Sequence, residues 1–262
     1  MPVYALLGAT GATGTAILRC LLSESPADLR LNIFVRSKGK LLKAFPQLQS
    51  TSAFPLNIIE GPITDQAALQ QCLEDSDVIF MCIATNISAP GTSVSYDTAS
   101  AIIDSLSALR QNQYTTYKAP TILQLRSASL NTNLSVTGSG FVHFCLYYVY
   151  ADLEHACTLY ETTAKDLPGL LDYVYVDPPA IHDADGTERT GYRLLTPETQ
   201  RTEPYSTSLS YADLGAAFCE VAERREEFLG QSVVVSATGK VKETWGVLLG
   251  YIFQGAKGRL FG

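Results

Sequence analysis

Residues 6–22 read "LLGATGATGTAILRCLL", and this stretch decides the fold. Gly8, Gly11 and Gly14 stand three apart between an apolar run and a segment whose Ala16, Ile17 and Leu21 recur at helical spacing. Glycines at the junction of a first strand and a first helix have separable mechanical uses. One permits the tight turn, one lets a pyrophosphate approach the backbone, and one lets helix and strand pack closely. The helix N-terminus behind them offers unpaired N–H groups and a partial positive charge. Gly8, Thr10, Gly11, Ala12, Thr13 and Gly14 are therefore the candidate phosphate cradle, with the threonine hydroxyls as additional donors.

Outward from this loop, strands and helices alternate. "VYALLGA" (3–9), "LNIFVRS" (31–37), "LNIIEG" (56–61), "SDVIFMCIA" (76–84), "TILQLRSAS" (121–129), "LDYVYVDPP" (171–179) and "QSVVVSAT" (231–238) read as strands. Helical patterns fall between them, starting after Asp65 and over about 95–110, 141–165 and 211–224. Strands that are apolar on both faces and separated by helices predict a parallel sheet covered on both sides, with right-handed crossovers. The fold class is α/β, a Rossmann-like doubly wound sheet in one domain, 1–262. The Thr-, Gly-, Arg- and Pro-rich segment 183–208 is the candidate substrate-covering region. The apolar run near the C-terminus reads as a core-packing helix.

The end of the second strand selects the dinucleotide. A carboxylate there accepts from the ribose 2′-hydroxyl of NAD, whereas an arginine pairs with the 2′-phosphate of NADP. Here the strand ends in Arg36 and Ser37, followed by Lys38, so NADP is expected. Past the fourth strand, Ala84 and Thr85 fall where a dinucleotide crosses the strand ends at the switch point.

Composition narrows the partners. With 19 basic and 26 acidic residues, the net charge of −7 argues against a nucleic-acid surface. The longest apolar runs are too short to span a bilayer, and a cytoplasmic location is expected. Six cysteines without a C-x-x-C pair and three scattered histidines predict buried thiols and no metal site.

Taken together, "GATGATG" (8–14), "VRS" (35–37), "SDVIF" (76–80) and "SYADLGAAF" (210–218) resemble an atypical short-chain dehydrogenase/reductase of the NmrA-like kind, nearly end to end. "YYVYADLEHA" (147–156) and "VKETWGVLLGYIFQGAKGRL" (241–260) are similar to fungal averufin oxidase-like proteins, a group associated with polyketide biosynthesis. The resemblance implies an NADP-binding oxidoreductase of secondary metabolism acting on a small aromatic polyketide. A tyrosine-rich helix suits such a flat phenolic ligand.

Dehydrogenases of this kind use a serine with a Tyr-x-x-x-Lys pair. Ser127 or Ser129 stands for the serine, and apolar spacing favours Tyr148 with Asp152 on the helix, with Tyr150 and Glu154 as the other register. Neither register supplies a lysine, and Lys165 lies too far along the helix. A carboxylate beside a phenol disfavours the phenolate, where an ammonium would favour it. Asp152 is then a candidate acid/base, for oxidoreduction or for a redox-neutral isomerisation or cyclisation. A non-catalytic NADP-sensing role is the third expectation. His182, after the proline-terminated sixth strand, is a lesser candidate for proton transfer.

Overall fold

The computed structural model describes residues 1–24, 28–50, 54–113, 115–134, 139–182 and 187–261. In chain order they form β1 (Val3–Leu7), α1 (Ala12–Glu24), β2 (Arg30–Val35), α2 (Lys38–Ala44), β3 (Leu56–Glu60) and α3 (Gln66–Leu73). Next come β4 (Val78–Met81), α4 (Val94–Asn112), β5 (Thr121–Leu125), α5 (Ser139–Cys145), α6 (Tyr147–Asp166) and β6 (Asp172–Asp177). The chain continues through β7 (Ala180–His182), β8 (Tyr192–Leu195), β9 (Ser208–Ser210), α7 (Tyr211–Glu223), β10 (Ser232–Ala237) and α8 (Trp245–Phe261).

Eight strands form one sheet in the order β3-β2-β1-β4-β5-β6-β10-β8, parallel except for the antiparallel edge pair β10–β8. The order reverses between β1 and β4, so the crevice at their carboxyl ends is the topological switch point. The two-residue period of β1 assigns its side chains to two cores. Tyr4 and Leu6 face Ile17, Leu18 and Leu21 of α1 and Phe218 of α7. Ala5 and Leu7 face Leu69 of α3, Ile102 and Leu106 of α4, and Tyr160 of α6. Such two-sided burial is why these strands read as unbroken apolar runs.

Local signals fix several boundaries. Asp65 accepts the Ala68 N–H at 3.0 Å and caps α3. Ser210 accepts the Asp213 N–H at 3.0 Å and caps α7. β6 ends at Asp177, where Pro178 removes the next ladder donor.

Three elements depart from the sequence reading. The long helix expected over 141–165 is two helices, α5 and α6, broken at Leu146. There the Tyr148 N–H donates to Ser88 Oγ at 3.3 Å, and Gly255 of α8 lies directly against the Cys145 carbonyl. Part of the 183–208 segment is sheet, because β8 pairs antiparallel with β10 and forms that edge of the sheet; residues 183–186 lie outside the described set. The C-terminal helix α8 is a surface element, with Leu249, Phe253 and Leu260 exposed. It packs on α5 and on Ser88 through its glycines, Gly255 and Gly258. Among the described residues, no helix is long and apolar enough to cross a membrane.

Candidate active site

The glycine loop is built by exclusion of side chains. Gly8 has φ +92°, and a Cβ there would lie 2.8 Å from the Cys82 carbonyl oxygen at the end of β4. Gly11 donates its N–H to the Gly8 carbonyl at 2.9 Å and is exposed at the mouth of the crevice. A Cβ on Gly14 would collide with the Gly8 carbonyl oxygen. The first turn of α1 therefore sits directly on the loop, which no larger residue at position 14 permits. Thr15 Oγ1 donates to the Ala9 carbonyl at 3.1 Å and holds the turn from inside. Thr13 is buried, Thr10 is half-buried, and Gly11 and Ala12 are exposed. Burial raises the pKa of the adjacent Cys82 thiol and keeps it neutral beside the loop. This cradle, lacking Cβ atoms where a diphosphate would approach a helix N-terminus, fits a dinucleotide.

At the end of β2, Arg36, Ser37 and Lys38 are all exposed. Ser37 Oγ accepts the Lys40 N–H at 3.2 Å and caps α2, so its hydroxyl has a local structural use. Arg36 makes no ion pair among the described residues and is open to a phosphate. Glu60, which sequence reading passed over, stands at the end of β3 opposite Val35. Its carboxylate accepts the Lys38 N–H at 3.2 Å and fixes the turn that presents Arg36. Only strand pairing brings it there, 24 residues beyond Arg36 in sequence. Ala84 is exposed at the switch point, and the hydroxyl of Thr85 accepts the Ile87 N–H at 3.1 Å.

Beyond β5 the two hydroxyls that meet are those of Ser127 and Tyr150, 3.3 Å apart. Ser127 also accepts the Ser129 N–H at 3.3 Å, which orients it, while Ser129 turns its carbonyl to His143 Nε2 at 2.7 Å. The His143 ring stands edge-on to Tyr150, with centroids 4.9 Å apart. The three histidines are scattered in sequence, and the place of His143 beside the phenol follows from the break between α5 and α6.

Tyr148 and Asp152 are not brought to this pair. Tyr148 is half-buried on another face of α6, where Arg259 of α8 lies over the rings of Tyr147 and Tyr148 at 3.8 and 5.6 Å. Asp152 is 2% exposed, and its two oxygens accept the N–H groups of Ser95 and Tyr96 at 2.8 and 2.9 Å. Its carboxylate thus caps α4 from a neighbouring helix, with the charge stabilised by the helix dipole. The tyrosine that meets Ser127 is Tyr150, and Glu154, four residues further along α6, is exposed. Lys165 stands in the last turn of α6, about 22 Å from Tyr150 at 1.5 Å rise per residue. His182 is buried on β7, and its Nδ1 accepts the Thr244 N–H at 3.0 Å.

Behind Ser127 lies a buried polar network. Arg126 grips Asp177 through two bonds of 2.8 and 2.6 Å, and Asn131 donates to Asp177 at 2.9 Å and to Gln200 at 3.2 Å. A bidentate guanidinium–carboxylate pair has fixed geometry. It ties the loop after β5 to β6 and to the 196–200 turn, so Ser127 is carried on a rigid base.

Residues 8–225 match the NAD(P)H-binding family. Averufin oxidase A of Dothistroma septosporum is 57% identical, with 99% of this chain and 92% of that protein covered. Averufin oxidase A of Aspergillus flavus is 51% identical, with 99% and 91% covered. Among solved structures, a short-chain dehydrogenase/reductase from Veillonella parvula in complex with NADP superposes with a TM-score of 0.67 at 18% identity, covering 91% of this chain and 95% of that one. Through the cradle of Gly8, Gly11 and Gly14, and through relatives that align over its whole length, the chain belongs to the NAD(P)H-binding Rossmann family, among its averufin oxidase-like members.

Proposed function

We propose that the protein is an NADP-dependent oxidoreductase acting on an aromatic polyketide of the averufin type, with Ser127 and Tyr150 at its reacting centre. The single observation that carries this reading is the 3.3 Å contact between the two hydroxyls on the carboxyl side of β5. That is the side of the sheet where the glycine loop opens. Ser127 donates to the substrate oxygen, and Tyr150 gives or takes the proton at that same atom. The chemistry that a bound nicotinamide would supply here is hydride exchange with the substrate carbon. Gly8, Thr10, Gly11, Ala12, Thr13 and Gly14 would hold the diphosphate, Arg36 and Ser37 would meet the 2′-phosphate, and Ala84 and Thr85 would border the path between. His143, rather than a lysine, is the basic side chain against the Tyr150 ring. Its edge-on packing fixes the orientation of the phenol ring.

The test is turnover of averufin with NADP⁺, and of its reaction product with NADPH, by wild type and by Tyr150→Phe. The expected result is a cofactor-dependent product in wild type, with kcat lower by about 10²–10⁴-fold in the variant at similar cofactor affinity. Equal turnover by the two proteins overturns the assignment.

A second reading, redox-neutral rearrangement at the same two hydroxyls, draws on Glu154 standing where a lysine would lower the phenol pKa. A product of unchanged mass, formed without change in cofactor absorbance, identifies it.

A further inference from the structure

We propose that Cys20 and Cys219 are a peroxide-reactive thiol pair that closes to a disulfide between α1 and α7. Neither residue has a part in the site described above. The two helices lie on the same face of the sheet, and each leads into a strand of the same parallel set, β2 and β10, so they run in the same direction. Their closest approach is made by small residues: a Cβ on Gly215 would lie 2.5 Å from the Ala16 carbonyl. Cys20 is four residues after Ala16, and Cys219 is four after Gly215. One helical turn along two parallel helices stacks the thiols over that contact. The two side chains interact there. Close packing of this kind keeps the axes at the short end of the roughly 8–10 Å range for helix pairs, which a disulfide requires.

The surroundings divide the roles. Arg189 reaches over the pair from the loop before β8, with its guanidinium 3.8 Å from Cys20 Sγ. It is anchored to Glu24 by two bonds of 2.7 and 2.8 Å. Interaction with Cys219 holds the Cys20 thiol below its usual pKa against burial and the Glu24 carboxylate 3.9 Å away, and the Arg189 charge acts in the same direction. With the Arg189 guanidinium on its sulfur, Cys20 is the attacking thiolate and Cys219 the resolving thiol. A hydroperoxide is the oxidant. Cys20 thiolate attacks the peroxide oxygen and, with one proton, gives a sulfenic acid and water. The Cys219 sulfur then displaces hydroxide from the sulfenic sulfur, its proton leaving as a second water. Two electrons pass from the thiol pair to the O–O bond. Cys20 is 8% exposed and Cys219 is half-buried, so the pair lies just beneath the surface, within reach of a small peroxide.

The experiment treats folded wild type, Cys20→Ser, Cys219→Ser and Arg189→Ala with hydrogen peroxide, with folding checked by circular dichroism. Unreacted thiols are then alkylated and peptides mapped by mass spectrometry. Wild type is expected to yield a Cys20–Cys219 linked peptide that dithiothreitol releases. Cys219→Ser is expected to leave Cys20 as a sulfenic acid that dimedone captures, and Cys20→Ser to leave Cys219 unmodified at the same dose. Arg189→Ala is expected to slow Cys20 oxidation several-fold. Folded wild type that keeps all six thiols, that stops at sulfenic or sulfinic Cys20, or that links other cysteines instead overturns the proposal.

Discussion

The hydroxyls of Ser127 and Tyr150 lie 3.3 Å apart, and the His143 ring closes the group, its centroid 4.9 Å from that of Tyr150. A break in the helix before Tyr147 makes this possible, because it lets α5 fold His143 back onto α6. Ser127→Ala is expected to lower kcat by about 10²–10³-fold, the usual cost of removing one donor to a developing oxyanion. His143→Ala is expected to lower kcat with little change in KM, because the Tyr150 ring loses the neighbour that orients it. Tyr148→Phe is expected to leave kcat little changed, and a loss as large as that from Tyr150→Phe restores the Tyr148 register.

Asp152 separates capping from catalysis. Asp152→Ala strips the buried Ser95 N–H and the Tyr96 N–H of their acceptor, at a cost of about 2–4 kcal/mol of stability. Thermal unfolding is expected to fall by many degrees while the folded fraction keeps its kcat. The opposite result, an unchanged melting temperature with kcat down by orders of magnitude, makes Asp152 the acid/base.

Gly14→Ala pushes a methyl group into the Gly8 carbonyl. The loop must move away from α1, at a cost of about 1–3 kcal/mol in folding. The dissociation constant for NADPH is expected to rise at least about tenfold, as measured by calorimetric titration. Unaltered affinity places the cofactor elsewhere.

Arg36→Ala tests the 2′-phosphate contact. A charge-assisted bond is worth about 1.5–3 kcal/mol, so NADP affinity is expected to drop by roughly 10–100-fold while NAD affinity stays level. Equal losses with both cofactors rule out the contact.

Alkaline stability follows from buried thiols and phenols. Burial pushes the Cys72 and Cys157 thiols up to about 12, and Tyr4 to about 12 as well. In the unfolded chain these groups titrate from the ordinary values, 9.0 for the thiols and 10.0 for the phenol. Between those values and about 12 the unfolded chain binds fewer protons than the folded one, so stability falls as pH rises. It is intact below pH 9.0, before any of the three titrates. Melting temperature measured across this range is expected to decline steadily, and less steeply in Cys72→Ala. A level curve contradicts the burial of these groups.

The sequence by itself determined the α/β class, the cradle of Gly8, Gly11 and Gly14, and the start of α3 and α7 at Asp65 and Ser210. Those signals are local: a glycine that must lack a Cβ, a capping oxygen three residues from its N–H, and an apolar run buried on both faces. Tertiary structure alone decided which tyrosine meets Ser127. Tyr148 and Tyr150 carry the same phenol two residues apart, and their faces on α6 depend on where α5 ends and where α8 crosses. Asp152 looked available for proton transfer because nothing nearby in sequence claims it, yet its partners, Ser95 and Tyr96, lie 57 and 56 residues away. Glu60 beside Lys38 and Cys219 beside Cys20 were hidden for the same reason. Contacts between distant segments are set by packing two helices or two strands together, and no periodicity within either segment records them.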